Sequence, residues 1–160
     1  MKPILLATDG SPTATDAAAK ATELAQALDA PLVIATVWQV AYEPVGIGFG
    51  PVIPDLDQIG HEKALEVAET AAQPARAAGI ETEAVVRRGT PAQEICAIAD
   101  AEDAQLIVLG SHGWGAMRRM VFGSVSTSVL HHAGRPVLVV PPASANESFE
   151  RSHLVEKAEV

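Results

Sequence analysis

The chain has 160 residues, enough for one domain with a full hydrophobic core, and with only 4% aromatic residues that core must be built from Ala, Val, Leu and Ile. Its 20 acidic and 11 basic residues give a formal net charge of −9, which disfavours general binding to nucleic acid or to an anionic membrane. No apolar run reaches the length of a membrane span and no signal peptide precedes the first apolar run, so the expected location is cytoplasmic.

The N-terminal part of the chain predicts two strands with a helix between them. Ile4–Thr8 and Leu32–Trp38 are short apolar runs, which are typical of strands buried on both faces of a parallel sheet. Ser11 and Pro12 suit the N-cap and the first position of a helix. That helix is predicted to cover Thr13–Leu28.

The middle of the chain predicts a loop, a helix and an edge strand. Tyr42–Pro54 holds three glycines and three prolines, which favours a long loop, either a lid over a site or a surface loop. Asp55–Ala78 has a helical apolar pattern, followed by an alternating strand, Glu81–Arg87, that is expected at a sheet edge. The apolar side of the helix is predicted to contain Leu56, Ile59, Ala64, Leu65 and Ala68.

The C-terminal part predicts two more strand and helix pairs. Thr90 is the expected N-cap of a helix over Ala92–Asp103. Leu106–Leu109 is a strand, a helix follows from Ser124 to about Ala133, and Val137–Val140 is the last strand. Strands separated by helices need right-handed crossovers, so the fold class is α/β with a parallel sheet.

Two other segments carry predictions of their own. Residues 1–142 are expected to form the single domain, and residues 143–160, with four Glu, an acidic tail. The one cysteine, Cys96, lies in an apolar helical run, which indicates a buried and inert thiol.

A glycine-rich segment between the fourth strand and the fourth helix is the strongest functional signal. Gly110, Gly113 and Gly123 bracket it, and Ser124 begins the helix. The backbone N–H groups of Gly113, Gly123 and Ser124, with the Ser124 hydroxyl, are predicted to surround phosphate oxygens at this helix N-terminus. Residues 104–146 contain no Asp or Glu, which fits an anion site but also fits a segment buried too deeply for charge.

A carboxylate is expected to face this segment. Ligands of open parallel sheets bind beyond the carboxyl ends of the strands, where the winding reverses. If the first and fourth strands are neighbours, Asp9 lies in that crevice, where it can accept hydrogen bonds from a ribose or hold a metal-bound water. The alternative is that Asp9 is only a turn residue, because it is followed by Gly10 and Asp-Gly is a common pair in turns.

The spacing of the segment excludes two common phosphate motifs and resembles a third. The Gly123-Ser124 pair follows Phe122 and lacks the Lys of a Walker A motif, and Arg118 stands where the dinucleotide fingerprint needs Gly or Ala. The pattern Gly110-x2-Gly113-x9-Gly123-Ser124 resembles instead the nucleotide loop of the ATP-binding branch of the universal stress proteins. Further similarity lies in Asp9-Gly-Ser, Gly89-Thr-Pro, Leu109-Gly-Ser-His-Gly and Gly-Arg-Pro-Val-Leu-Val-Val140.

This resemblance implies an architecture and partners. The expected fold is an open five-stranded parallel sheet of order 3-2-1-4-5 with helices on both faces, Rossmann-like and similar to the adenine nucleotide alpha hydrolases. The implied cofactor is ATP with Mg²⁺ on its phosphates, without a dense set of protein ligands to the metal. The implied partner is a second copy of the chain, joined through the fifth strand, Val137–Val140, with no nucleic acid and no membrane.

The resemblance also assigns site residues. Along the adenine and the ribose it places Ala7, Thr8, Asp9 and Val37. Along the ribose and the phosphates it places Leu109, Gly110, His112 and Gly113. Around the phosphates it places Gly123, Ser124, Val125 and Ser126. No catalytic residue is assigned.

The function expected from these residues is a nucleotide-dependent regulatory module of the stress response. The alternative is a slow ATPase or phosphotransferase in which Asp9 or His112 orients the attacking water. A protein that signals only through dimerisation is disfavoured, because all four positions of the glycine pattern are present.

Overall fold

The computed structural model describes residues 1–39, 56–111 and 123–143, which contain five strands and four helices in alternation. The strands are β1 (Ile4–Ala7), β2 (Leu32–Trp38), β3 (Thr82–Arg88), β4 (Leu106–Gly110) and β5 (Val137–Val140). The helices are α1 (Pro12–Leu28), α2 (Leu56–Ala77), α3 (Pro91–Ala101) and α4 (Ser124–His132). Each element lies where the sequence predicts it, with ends that differ by no more than two residues. The predicted loop Tyr42–Pro54 and the tail beyond Ala143 lie outside the described residues.

The five strands form one parallel sheet of order β3-β2-β1-β4-β5, as the resemblance implies. Ile4 of β1 pairs with Leu32 of β2 on one side and with Leu106 of β4 on the other. The chain therefore winds outward in one direction from β1 to β3 and in the other from β4 to β5. The reversal falls between β1 and β4, whose carboxyl ends meet at one edge of the sheet.

Helices cover both faces of the sheet, and each face has its own core. Ile4 and Leu6 of β1 pack into a core shared with α1 and α2. Leu5 and Ala7 point the opposite way, into a core that includes α3 and Val129 of α4. A strand buried on both faces is the reason that β1 and β2 appear in the sequence as continuous apolar runs.

The buried residues of the α1 and α2 helices are all alanines. They are Ala14, Ala17, Ala21 and Ala25 in α1, and Ala64, Ala68, Ala72 and Ala75 in α2. The predicted apolar side of α2 is therefore wrong for its larger residues, since Leu56, Ile59 and Leu65 are exposed. Small side chains let a helix axis approach the sheet, whereas Leu or Ile at the contact would hold it away.

The two predicted N-caps differ in outcome. The Ser11 side chain accepts a hydrogen bond from the Ala14 N–H at 3.3 Å, and Pro12 begins α1, as predicted. Thr90 holds the N-cap position of α3, but its side chain makes no capping hydrogen bond. For α3 the prediction of a side-chain cap is wrong.

Two further sequence predictions concern membrane-spanning helices and the one cysteine. None of the described helices combines the length and apolar character that crossing a bilayer demands. Cys96 is half-buried rather than fully enclosed. Burial raises the pKa of its thiol, and the Asp100 carboxylate raises it further, so the thiol is protonated at neutral pH.

The alanine contact gives a test of packing in α1. Ala17 is fully buried, so we expect Ala17→Leu to lower the free energy of unfolding by about 1–3 kcal/mol through overpacking. Ala19 is an exposed residue of the same helix, and Ala19→Leu is the matched control with an expected change near zero. Urea denaturation followed by circular dichroism measures both. Equal stability of the two variants would contradict the packing argument.

Candidate functional site

A cavity of about 470 Å³ opens at the carboxyl ends of β1 and β4. Ten of the twelve site residues assigned from the sequence line it. They are Ala7, Thr8, Asp9, Val37, Leu109, Gly110, Gly123, Ser124, Val125 and Ser126. The other two, His112 and Gly113, lie outside the described residues. The structure thus brings together residues that stand up to 119 positions apart in the chain.

The turn after β1 places Asp9 in the cavity wall. One Asp9 carboxylate oxygen accepts a hydrogen bond from the Ser11 N–H at 2.9 Å, and the Thr8 hydroxyl oxygen accepts one from the Gly10 N–H at 3.2 Å. Gly10 has a φ of +74°, a conformation that favours glycine. Asp9 therefore forms the turn and also lines the cavity.

The N-terminus of α4 has no side-chain cap to accept hydrogen bonds from its first backbone N–H groups. Its N-cap is Gly123, which has no side chain to accept from the first turn, in contrast to Ser11 at the start of α1. The first N–H groups of a helix have no acceptor within the helix and carry the positive end of its dipole. Ser124 and Val125, at the first two positions of α4, are exposed and line the cavity. An anion is the ligand that such a helix end suits best.

Hydrogen bonds join the two ends of the glycine segment. The carbonyl oxygen of Ser111, directly after β4, accepts from the Gly123 N–H at 2.7 Å. The Ser126 hydroxyl lies 3.2 Å from the same oxygen and 2.9 Å from the Gly123 carbonyl oxygen. The Gly123 N–H, which the sequence predicts as a phosphate donor, thus has an acceptor within the protein.

Five lining residues were not predicted from the sequence. They are Ala14, Ala35, Pro91, Ile95 and Ser111. Ala35 could have been found, because it lies two positions before Val37 and so faces the same side of β2. Pro91 and Ile95 are one helical turn apart in α3, but only the fold shows that α3 lies beside the end of β2.

The wall of the cavity differs between its two sides. On the β2 side, Ala35, Val37 and the first turns of α3 present apolar side chains. On the β4 side, Ser111, Ser124 and the N-terminus of α4 present polar groups. Two interstrand spacings separate β2 from β4, which is roughly 10 Å. The cavity can therefore hold a ligand with a flat apolar part at one end and an anionic part at the other.

Carboxylates are scarce around this cavity. Asp9 is the one acidic residue among its described lining residues. Within residues 1–39, 56–111 and 123–143, no group of three or more His, Cys, Asp or Glu side chains has the arrangement of a metal site.

Gly110 has a structural role that its place in the phosphate motif does not suggest. A Cβ at this residue would lie 3.0 Å from the carbonyl oxygen of Thr13 and 3.3 Å from the backbone nitrogen of Ala14. Both atoms belong to the first turn of α1, which the Ser11 cap holds in place. Gly110 is therefore needed for α1 to pack against the end of β4, and this contact fixes one wall of the cavity.

The fold and the cavity together define a doubly wound α/β protein with a glycine-capped helix N-terminus at its switch point. The chain matches the universal stress protein family over residues 1–141. It is 40% identical over 141 residues to a universal stress protein of Thermus aquaticus, covering 87% of this chain and 98% of that protein. It is 34% identical over 143 residues to universal stress protein YxiE of Bacillus subtilis, with coverage of 86% and 97%. The chain belongs to the universal stress protein family.

Relatives differ in length. A universal stress protein of Mycolicibacterium smegmatis is 33% identical over 144 residues, which make up 88% of this chain but only 46% of that protein. The chain thus spans about half the length of some curated relatives and nearly all of others.

Solved structures give the same architecture. MJ0577 of Methanocaldococcus jannaschii superposes with a TM-score of 0.74 at 26% identity, over 88% of this chain and 95% of that one. A universal stress protein in complex with cAMP has a TM-score of 0.67 at 26% identity, with coverage of 89% and 98%. The universal stress protein of Archaeoglobus fulgidus in complex with dAMP has a TM-score of 0.62 at 26% identity, with coverage of 88% and 98%.

The contact at Gly110 gives a test of how the site is built. We expect Gly110→Ala to lower the free energy of unfolding by about 1–3 kcal/mol, because the new methyl group meets backbone rather than a flexible side chain. Gly134→Ala is the matched control, since a Cβ there has nothing within 4 Å. Urea denaturation compares the two variants. A Gly110→Ala protein as stable as Gly134→Ala would show that the helix and the strand can separate at no cost.

Proposed function

We propose that the protein binds ATP in this cavity and acts as a nucleotide-dependent module of the stress response. The observation that carries the proposal is the pairing of an apolar wall with a glycine-capped helix N-terminus in one cavity at the sheet switch point. Solved relatives in complex with cAMP and with dAMP support an adenine nucleotide as the ligand class.

Each part of an adenine nucleotide has a matching part of the cavity. The base fits against Val37, Ala35 and Ile95, which offer flat apolar contact. The ribose then lies near Asp9, whose carboxylate can accept from a ribose hydroxyl. The phosphates reach the first turn of α4, where the backbone N–H groups and the Ser124 hydroxyl can donate.

The residues present fit Mg²⁺ that is held chiefly by the nucleotide. Mg²⁺ usually keeps several waters and binds one or two carboxylates together with substrate phosphates, so it needs no dense set of protein ligands. Asp9 is the acidic residue among the described lining residues that can supply a carboxylate or order a bound water. When bound, the ion would neutralise phosphate charge. The chain itself would orient the nucleotide through α4 and the turn at Asp9.

The scarcity of acidic groups favours binding over hydrolysis as the main activity. Asp9 is the one carboxylate among the described lining residues, and one of its oxygens already accepts the Ser11 N–H. A residue that orients attacking water has to be within hydrogen-bond reach of that water while the ligand is bound. Single-turnover assays with labelled ATP separate a binding module from a slow ATPase.

The proposed assembly is a homodimer joined through β5, in which residues 1–142 form the nucleotide-binding domain. Because β5 is an edge of the sheet, it presents backbone groups on one side that a second copy can pair with. The half-buried side chains of Val137, Leu138 and Val139 add apolar surface to that edge. A cytoplasmic location stays a prediction from the sequence.

A charge placed at the helix N-terminus tests the phosphate site. We expect Ser124→Asp to weaken ATP binding roughly tenfold or more, because the new carboxylate repels the phosphates. The fold should be unharmed, since an acidic residue in the first turn favours a helix. Isothermal titration calorimetry with ATP and with adenosine measures the effect, and adenosine, which lacks phosphate, should bind both proteins alike.

The matched control for this experiment is Ser128→Asp. It adds the same charge one helical turn further along α4, at a residue that does not line the cavity. If both variants lost ATP affinity equally, the effect would reflect net charge rather than a local phosphate site. If Ser124→Asp bound ATP as the unchanged protein does, the phosphates would not lie at α4.

The edge strand gives a test of the dimer. The N–H groups of Ile107 and Ser111 donate to the carbonyl oxygens of Pro136 and Val140. Because alternate residues of a parallel strand bond to the same neighbour, the Val139 N–H points away from β4. Proline is tolerated in a strand where the missing N–H faces outward. We expect Val139→Pro to give a folded monomer, while Val139→Ala, which keeps the N–H, stays dimeric. Light scattering coupled to gel filtration measures both masses, and a dimeric Val139→Pro would exclude β5 pairing.

A further inference from the structure

The Ser126 side chain is buried, and its hydroxyl hydrogen already takes part in hydrogen bonds within the protein. Ser126 is only 2% exposed, at the third position of α4. Its hydroxyl oxygen lies 2.9 Å from the carbonyl oxygen of Gly123 and 3.2 Å from that of Ser111. Both neighbours are acceptors, so the hydroxyl must be the donor in each contact. A serine hydroxyl has one hydrogen, which these two carbonyls share.

The Ser111 carbonyl is the point at which the two ends of the glycine segment meet. It accepts the Ser126 hydroxyl and also the Gly123 N–H, at 2.7 Å. Ser111 is held in turn, because its own N–H donates to the carbonyl of Val140 at the end of β5, at 2.9 Å. We call this set of hydrogen bonds among Ser111, Gly123 and Ser126 the clasp. It fixes the start of α4 to the ends of β4 and β5.

We infer that Ser126 is a positioning residue, whose side chain holds the phosphate-binding end of α4 in place through the clasp and whose hydroxyl donates no hydrogen bond to phosphate. This inference rests on the proposed nucleotide function. An ionised phosphate offers only acceptors, so a direct hydrogen bond from Ser126 would require its hydroxyl to leave both carbonyls. The exposed Ser124 hydroxyl, two positions earlier, makes no such contact and is the side-chain donor for the ligand.

The clasp consists only of contacts within the protein, and this separates positioning from direct contact. Hydrogen exchange at the Gly123 amide, measured by NMR on protein freed of nucleotide, reports how often the clasp opens. We expect Ser126→Ala to speed this exchange about fivefold, the factor for one lost hydrogen bond. Ser124→Ala and Ser128→Ala should leave it unchanged. If Ser126→Ala does not fold, Ser126→Cys places a weak donor of similar size at the same position, with the same expectation.

Ligand binding supplies the second measurement. We expect Ser126→Ala to weaken ATP about fivefold and to leave adenosine unchanged, because only the phosphate end depends on the clasp. Equal losses for both ligands would indicate a general loss of structure and overturn the inference. Weaker ATP binding with unchanged Gly123 exchange would show that Ser126 contacts phosphate directly, which also overturns it. If the unchanged protein bound no nucleotide, the proposed function would fail, and the exchange result alone would decide whether the clasp holds α4.

Discussion

The cavity depends on how closely the first turn of α1 packs against the end of β4. At Gly110 the backbone of Thr13 comes within 3.0 Å of the place where a Cβ would stand. This contact brings the Asp9 turn, which leads into α1, beside the strand that leads to the glycine segment. Because β1 and β4 are neighbours in the sheet, the turn and the segment meet at the switch point. A Cβ at residue 110 would have to move the two sides of this contact apart by a few tenths of an ångström.

Small side chains also allow close packing elsewhere in the fold. Alanines on α1 and α2 let both helices approach the sheet, and larger apolar residues of α2 such as Ile59, 53% exposed, are left outside. The cavity lies where the core meets the loops and helix ends, since the core residues Ala35 and Leu109 also line it. The residues that stabilise the fold and those that line the cavity therefore overlap.

Much of the fold was predictable because its signals are local. Apolar runs marked four of the five described strands, an alternating run marked β3, and the glycine pattern marked the family and with it the strand order. The burial of α2 was not predictable, because helical periodicity alone does not distinguish a face of leucines from a face of alanines. Pro91 and Ile95 were missed as lining residues for a similar reason. Their positions depend on contacts between elements, which no local pattern encodes.

The backbone N–H and carbonyl groups of Ser111 join parts of the fold that are distant from each other in the chain. Its N–H donates to Val140 at the end of β5, and its carbonyl accepts from Gly123 at the start of α4. The edge strand and the N-terminus of α4 are thus held by opposite sides of the same residue. Because the residue is buried, water cannot readily replace either hydrogen bond, and losing one leaves a desolvated polar group. A shift of α4 relative to β4 must therefore be accommodated at the end of β5 as well.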